Sequence, residues 1–416
     1  DMKPGKPPAE QDDLLRARLV EMIDMRHELV KLAALIDWEV FEREWSEFFP
    51  SHTGRPATSP RLVAGLCYLQ HAFALSDEPP LTNETIDGTI ILRANENPHG
   101  PSPLAKTAMQ EAVAISNRYQ WDMNGLLRER IAKLTNHSRD HITLGAGSSE
   151  LLGLVCLWAS YQKGHVIASE PTFKLWMPAA RKMGLATQLI PLTPTKHNDL
   201  ERMLASINNE TRLVYLCNPN NPTGTAHDKK TLEKFIDQAC KSCVVLVDEA
   251  YTDYYDTASL AHMVNQQPNL IIAKTFSKVY GMAGARVGYL LAQPSLIRSL
   301  NELQAWANAG PSAVSMRGAL AAMDDHAFVA FCKAENHKAK EIFCNGLTDL
   351  TIPFIPSVTS FVYFDGAAYS KPIPNFLQSH QIVGARSFEE KSTWLRLSVG
   401  TTEEMKRVVE VLKTGR

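Results

Sequence analysis

Apolar and polar positions along the chain follow two different registers, and the change falls near residue 80. Over residues 12–36, Leu15, Leu19, Met22, Leu29, Ala33 and Ile36 recur on one helical face, with Asp12 or Asp13 placed to cap the first turn. Two further helices are predicted at 38–48 and from 59 to about 75, divided by the turn-rich Pro50-Ser-His-Thr-Gly-Arg-Pro56. From Pro79-Pro80 onward, short apolar runs alternate with helical patterns, as expected of a mostly parallel sheet with helices on both faces. Seven strands are predicted, at 142–144, 166–169, 186–190, 213–217, 244–247, 270–273 and 287–291, with helices between most of them, such as 232–240. Past Ala292 the pattern turns helical at 295–306, 314–323 and 328–343. It then gives strands near Phe361 and Leu395 and a last helix at 402–412. The fold class expected is α/β, with a short helical segment (1–78), an arm (79–122), a large sheet domain (123–292) and a smaller α+β domain (293–416).

The length of 416 residues agrees with two or three domains, at roughly 150 residues each. Charge sharpens the division. Residues 1–78 hold 9 Lys and Arg against 14 Asp and Glu, a net of -5, and the remainder holds 34 against 31, a net of +3. A total of -2 removes the general electrostatic case for a nucleic-acid or anionic-membrane partner. The longest apolar run, near 151–159, is far short of the ~20 residues that cross a bilayer, and the first residues lack the apolar stretch of a secretory signal, so a cytoplasmic location is expected. Seven cysteines scattered between Cys67 and Cys344 read as reduced, buried thiols. Cys240-Lys-Ser-Cys243 has the spacing of a metal or redox pair, but nothing nearby completes four ligands, so no metal is expected.

Four short motifs fall at the ends of predicted strands, where open α/β sheets bind ligands. Gly145-Ala-Gly-Ser-Ser-Glu150 opens a helix with small residues and hydroxyls, which suits an anion but is also a common turn. Asn218-Pro-Asn-Asn-Pro-Thr-Gly224 would pass as a bare turn. Asp248, ending an apolar strand, is explained equally by a structural salt bridge or by a cofactor contact, since an unpaired carboxylate there is costly. Thr275-Phe-Ser-Lys278 ends the next strand, with Arg286 eight residues further on.

As an ordered set these motifs resemble the fold-type I aminotransferases that use pyridoxal 5'-phosphate, and among them the histidinol-phosphate aminotransferase branch. The resemblance spans about 81–415 and includes Leu92-Arg-Ala-Asn-Glu-Asn-Pro98, Asn220-Asn-Pro-Thr-Gly224, Asp248-Glu-Ala-Tyr251 and Lys278 with Arg286. It implies that Lys278 holds the cofactor aldehyde as a Schiff base and then moves the substrate proton, and that Asp248 pairs with the pyridine nitrogen. Tyr251 and Asn221 would bond the ring oxygen. Ala146, Gly147 and Ser148 would hold the phosphate with Ser277 and Arg286, Thr275 adding a donor and Phe173 stacking on the ring. Tyr119 matches a tyrosine that reaches the phosphate of the neighbouring subunit, which implies a homodimer. Arg396, in Trp394-Leu-Arg-Leu-Ser-Val-Gly-Thr401, would clamp the substrate carboxylate, Arg386 would meet a substrate phosphate, and Asn97 would line the substrate site. The partners implied are a small amino donor and a keto acid, 2-oxoglutarate.

Two other readings use the same cofactor: a decarboxylase of the threonine-phosphate type, and an aromatic aminotransferase with Tyr119, Trp121, Phe173 and Trp176 around an apolar pocket. A different ancestry is written in residues 10–78. Gln11-Asp-Asp-Leu-Leu-Arg-Ala-Arg18, Arg26-His-Glu-Leu-Val-Lys-Leu-Ala33, Gly54-Arg-Pro56 and Leu69-Gln-His-Ala-Phe-Ala-Leu-Ser-Asp-Glu78 resemble the amino-terminal region of insertion-sequence transposases. That similarity stops at Glu78, before any acidic catalytic triad, which implies a fusion without transposition chemistry. A DNA-binding or regulatory protein built on this segment is the remaining alternative. Its net charge of -5 opposes that role, and no nucleic-acid partner is expected.

Overall fold

The structure is a computed structural model that describes residues 88–255, 259–304 and 310–415. The three helices expected at 12–36, 38–48 and 59–75, and the boundary expected at 78, lie outside the described residues. After a two-residue strand β1 (Ile90–Ile91), helices α1 (Pro103–Val113) and α2 (Trp121–Thr135) lead into β2 (Ile142–Gly145). The chain then alternates through α3 (Ser148–Ser160), β3 (His165–Glu170), α4 (Met177–Lys182), β4 (Ala186–Pro191), α5 (Leu200–Ala205), β5 (Thr211–Cys217), α6 (Lys229–Ala239) and β6 (Val244–Asp248). Strands β7 (Leu270–Thr275) and β8 (Gly288–Ala292) complete the sheet, and α7 (Pro294–Asn301), α8 (Ala313–Asp324) and the long α9 (His326–Asp349) follow. The last part comprises β9 (Phe354–Ile355), β10 (Phe361–Asp365), α10 (Ile373–Gln378), β11 (Ile382–Val383), β12 (Trp394–Ser398) and α11 (Thr402–Thr414).

Each of the seven strands expected from sequence has a counterpart in one sheet, ordered β2-β8-β7-β6-β5-β3-β4. All neighbours are parallel except β8, which runs antiparallel to both β2 and β7. Alternation explains why the central strands are apolar throughout. In β5 and β6, Leu213, Tyr215, Cys217, Val244 and Leu246 enter one core, and Val214, Leu216, Val245 and Val247 enter the other. Register then fixes the site, because Cys217 pairs with Asp248 and Asp248 with Ala273, so the carboxyl ends of β5, β6 and β7 finish nearly abreast. Helix ends are set by side chains: Asp228 accepts from the Thr231 amide at the start of α6, and Thr401 and Glu404 form a capping box on α11.

The domain boundary expected at 292 is corrected by packing. Leu296, Ile297 and Leu300 of α7 join one core of the large sheet, and Met316, Ala319, Ala322 and Met323 of α8 join the other, with Ala105 and Leu127. Helical periodicity identifies an apolar face but not the layer it packs on, which is why both helices read as the beginning of the smaller domain. That domain has its own core of Phe343, Leu347, Val362, Phe364, Leu395, Leu397, Met405 and Val408, and it includes Leu92 from the arm. Its three-stranded sheet is antiparallel, ordered β12-β10-β9, and β1 pairs parallel with β11. Strands β1, β9 and β11 are each two residues long, too short to leave a periodic signal.

Gly346 lies where α9 meets α11. A Cβ there would stand 2.4 Å from Val409 Cγ2 and 2.6 Å from Cγ1. Gly346→Ala gains about 1 kcal/mol of helix propensity but overpacks against a stiff β-branched side chain, which costs roughly 1–3 kcal/mol. The substitution is expected to lower stability in urea unfolding, and combined with Val409→Ala it should cost less than the two changes summed. Strict additivity would show that the helices do not meet at this point.

Candidate active site

The loops that leave β5, β6 and β7 converge on Asp248, which is 3% exposed. Its carboxylate is held by two donors: the Tyr215 hydroxyl at 2.9 Å on Oδ2 and the Ala250 amide at 3.1 Å on Oδ1. Burial raises its pKa to about 6, against the opposing pull of these donors and of Lys278. Lys278 follows β7, and its Nζ donates to the Ala94 carbonyl at 3.1 Å and lies 5.4 Å from the centre of the Tyr251 ring. Desolvation first, and then the Arg396 cation, bring that amine down to about 8. A lysine in this state is a usable base and nucleophile near neutral pH.

Tyr251 is buried against Phe361, edge to face at 5.0 Å. Its oxygen accepts from Asn95 Nδ2 at 2.9 Å and, at a longer 3.4 Å, from Asn221 Nδ2. Asn221 Oδ1 accepts from Arg396 Nη1 at 2.7 Å, and Arg396 Nη2 donates to the Arg93 carbonyl at 2.7 Å. On the other side, Ser398 Oγ donates to Asn95 Oδ1 at 2.7 Å. A continuous polar chain therefore runs from β12 through the arm and both central loops and back to β12. Arg396 is 2% exposed, its guanidinium lies 4.6 Å from the Phe388 ring and 5.4 Å from that of Phe361, and among the described residues its Nε has no hydrogen-bond partner. Arg386 lies 5.0 Å from the same Phe388 ring and is bridged to Arg396 through the backbone; burial and the nearby Arg93 lower its pKa.

A second polar cup forms at the start of α3. Arg286 donates to Ser277 Oγ at 3.3 Å, to the Ala283 carbonyl at 3.0 Å and to the Ala146 carbonyl at 3.0 Å. Gly147 has φ +78°, and a Cβ on it would stand 2.2 Å from Arg286 Nη2, so only glycine leaves the guanidinium this position. Thr275 Oγ1 bonds Ser277 Oγ at 2.9 Å and accepts from the Ser277 amide at 3.2 Å, which makes it a brace for Ser277. Ser148 opens α3 beside the cup, half-buried.

Two residues make bonds the sequence did not anticipate. The Ala146 amide donates to the Glu150 carboxylate, which reaches back across the first turn of α3. Asn97 donates to the Val279 carbonyl at 2.8 Å and to Cys332 Sγ at 3.1 Å, and its Oδ1 accepts the His99 amide. These bonds occupy it in holding the arm, and Asn95, two residues earlier, is the asparagine that reaches the site. Tyr119 is 74% exposed and stacks on Trp121 at 4.8 Å. Phe173 is half-buried against the core that contains Tyr215 and Cys217. Asn95, Ser398, Tyr215 and Phe388 escaped the sequence reading. Of these, only Asn95 carried a signal, as a residue type that tolerates its φ of +54° within a motif already singled out.

The set fits pyridoxal 5'-phosphate: a glycine-cleared cation and hydroxyl cup for a phosphate, a buried carboxylate for a pyridine nitrogen, and an amine of lowered pKa between them. Comparison with known proteins agrees. Residues 87–412 match the model for aminotransferase class I and II, and residues 17–85 match that of a transposase domain, so the chain is a fusion of the two. Histidinol-phosphate aminotransferase 1 of Nitrosococcus oceani is 35% identical over 79% of this chain and 89% of its own length. The histidinol-phosphate aminotransferase of Moorella thermoacetica is 33% identical over 79% and 86%. The crystal structure of the Sinorhizobium meliloti histidinol-phosphate aminotransferase, a complex with pyridoxal-5'-phosphate, superposes with a TM-score of 0.74 at 25% identity, covering 82% of this chain and 96% of that one. The L-threonine-O-3-phosphate decarboxylase of Porphyromonas gingivalis, at 14% identity and a TM-score of 0.67, shares the fold. From residue 87 onward the chain belongs to the class I and II aminotransferases and is a pyridoxal-phosphate-dependent enzyme.

Proposed function

We propose that this aminotransferase moves an amino group between a primary amine that bears an anionic group, histidinol phosphate or a related amino acid, and 2-oxoglutarate. One observation carries the reading: buried Arg396 lies near Lys278, Arg386 and Arg93 gather next to it, and among the described residues no carboxylate lies within ion-pair distance of any of the three. A buried guanidinium without a counter-charge, with two further cations nearby, is costly unless a ligand brings that charge. Both partners of such a reaction occupy one site in turn, and a phosphate-bearing amine and a dicarboxylic keto acid each bring more than one negative charge. The names of the relatives at 33% and 35% identity support the same donor.

In this reading Ser277, Arg286 and the first amides of α3 hold the cofactor phosphate, Asp248 holds the pyridine nitrogen, Tyr251 with Asn221 holds the ring oxygen, and Phe173 stacks on the ring. The cofactor, when bound, supplies an electron sink for the bond broken at the substrate Cα. Lys278 Nζ would take the proton from the substrate Cα and deliver it to the cofactor carbon that carried the aldehyde. Arg396 fixes the carboxylate of the keto acid or of an amino-acid donor with a planar fork that a lysine cannot reproduce. Arg386 takes the distal anion, and Phe388, within 5.0 Å of Arg386 and 4.6 Å of Arg396, gives both a cation–π contact. Tyr119, exposed and supported by Trp121, extends to the phosphate of a second copy of the chain in a homodimer.

Three outcomes are expected. In single-turnover mixing, histidinol phosphate and glutamate should each convert the cofactor to its amine form, as read by visible absorbance, well ahead of phenylalanine or tryptophan. Conversion by glutamate with none by histidinol phosphate would remove the proposed donor. Arg396→Lys should lower kcat/KM on the order of 100-fold while the protein keeps its cofactor colour. The neutral amine is the reactive form, so competitive acetylation of Lys278 in the apoprotein should rise with pH and reach half its limit near pH 8. A midpoint near that of surface lysines, about 10.4, would show that the site does not lower its pKa.

A further inference from the structure

Tyr215 is a fully buried titratable side chain that the steps above leave unused. It lies on β5 at 1% exposure, packed at 4.9 Å against Trp176, inside the apolar core on one face of the sheet. Apart from its hydroxyl, that core offers Asp248 chiefly hydrocarbon. The β5 and β6 strands pair Tyr215 with Leu246 and Cys217 with Asp248, so the phenol lies diagonally behind the carboxylate and reaches Oδ2 at 2.9 Å. Burial holds Tyr215 well above its ordinary pKa, and as a phenol it can only be the donor in this bond. The Ala250 amide takes Oδ1. One carboxylate oxygen therefore depends on a single side-chain donor from a neighbouring strand.

We propose that Tyr215 is a positioning residue for the reaction: by donating to Oδ2 it keeps Asp248 ionised and oriented, so that the carboxylate retains a protonated pyridine nitrogen at neutral pH. The inference rests on the reading that Asp248 serves that nitrogen. The ionisable groups facing Asp248 are Tyr215 and Cys217 on β5, Lys278 beyond β7, and Glu249 and Tyr251 on its own segment. Among the donors and charges that favour its ionised form, Tyr215 has the largest effect and the Lys278 cation a smaller one, with Glu249 opposing. Cys217 is held as a thiol by burial, and its Sγ donates to the Pro219 carbonyl, so it cannot replace the phenol. Loss of a hydrogen bond to a charged, buried group shifts its titration by about one to two pH units. Without Tyr215 at least about half of the carboxylate would be protonated at pH 7, and it would counter a pyridinium less well.

The test is the pH dependence of pyridoxamine 5'-phosphate binding to the apoprotein, measured by fluorescence quenching, because this ligand has no aldehyde to link to Lys278. In Tyr215→Phe, affinity relative to the parent should fall about tenfold near pH 6.5 and return to within threefold at pH 9, with circular dichroism unchanged. A deficit of equal size at every pH, or none, overturns the proposal. In an Asp248→Asn background the side chain cannot titrate, and adding Tyr215→Phe should change affinity by less than threefold. A full further loss there would mark Tyr215 as a packing residue. If Asp248→Asn alone binds the ligand like the parent, the reading of Asp248 fails. If Asp248→Asn is impaired and Tyr215→Phe is not, only the inference fails.

Discussion

The constraint on which the rest of this structure depends is the burial of one carboxylate at the end of a strand that must otherwise be apolar. Strand β6 has sheet neighbours on both sides and a core on each face, so Val244, Val245, Leu246 and Val247 leave no room for polarity before Asp248. At that point the protein confines a charge instead of excluding it. The two donors and the nearby lysine do not fully offset desolvation, since the carboxyl titrates near 6, above its ordinary value of about 4. A folded-state pKa above the unfolded one means that the folded chain binds the extra proton. The contribution of this carboxyl to the stability of the apoprotein therefore falls as pH rises from about 4 to 6 and stays at its lower value above that. Stability is given up so that an anion lies where a cationic ring nitrogen can meet it, and binding that nitrogen offsets part of the cost.

Lys278 answers the same burial with the opposite sign. Its amine is lowered to about 8 by desolvation and by Arg396, while Asp248 and Glu96 pull the other way. The two groups thus approach each other in proton affinity, the condition under which an acid and a base can both operate near neutral pH. Arg396 belongs to the balance as well. It is buried between two aromatic rings, and it is tied through Asn221 to Tyr251 and through the Arg93 carbonyl to the arm. The arm, the loops after β5 and β6, and β12 of the smaller domain are consequently joined by one polar chain. A shift of the smaller domain would be felt at Tyr251 without passing through the hydrophobic cores.

What could be read from the sequence divides along physical lines. The seven strands were legible from local composition, an apolar run followed by a turn, whereas the loops with Lys278, Asp248, Tyr251, Asn221, Ser277 and Arg286 were ambiguous one by one and gained meaning only as an ordered set that resembles a known family. Tyr215 was not legible, because its partner is set by the pairing register of two strands thirty residues apart, and a tyrosine in an apolar run looks like core. Asn95 and Asn97 are the same residue type in the same motif, and only the left-handed backbone at Asn95 decides which one reaches Tyr251. The place of α7 and α8 failed for a similar reason, since a helical stripe of Leu296, Ile297 and Leu300 says that a partner exists without naming it.

The fusion can be understood from the same packing. The transposase-domain match ends at residue 85, the aminotransferase match begins at 87, and the first pairing of the described fold is made by Ile90 and Ile91 with β11. Leu92 then enters the core of the smaller domain, and Arg93 to Asn97 supply contacts in and around the site. The junction therefore falls just before the first of the described residues that pairs in a sheet or enters a core. Moving it ten residues later would remove β1, Leu92, Asn95 and the carbonyl that holds Arg396. Among the described residues the buried network makes its first demand on the sequence at Ile90, so every one of those contacts is encoded within the aminotransferase match.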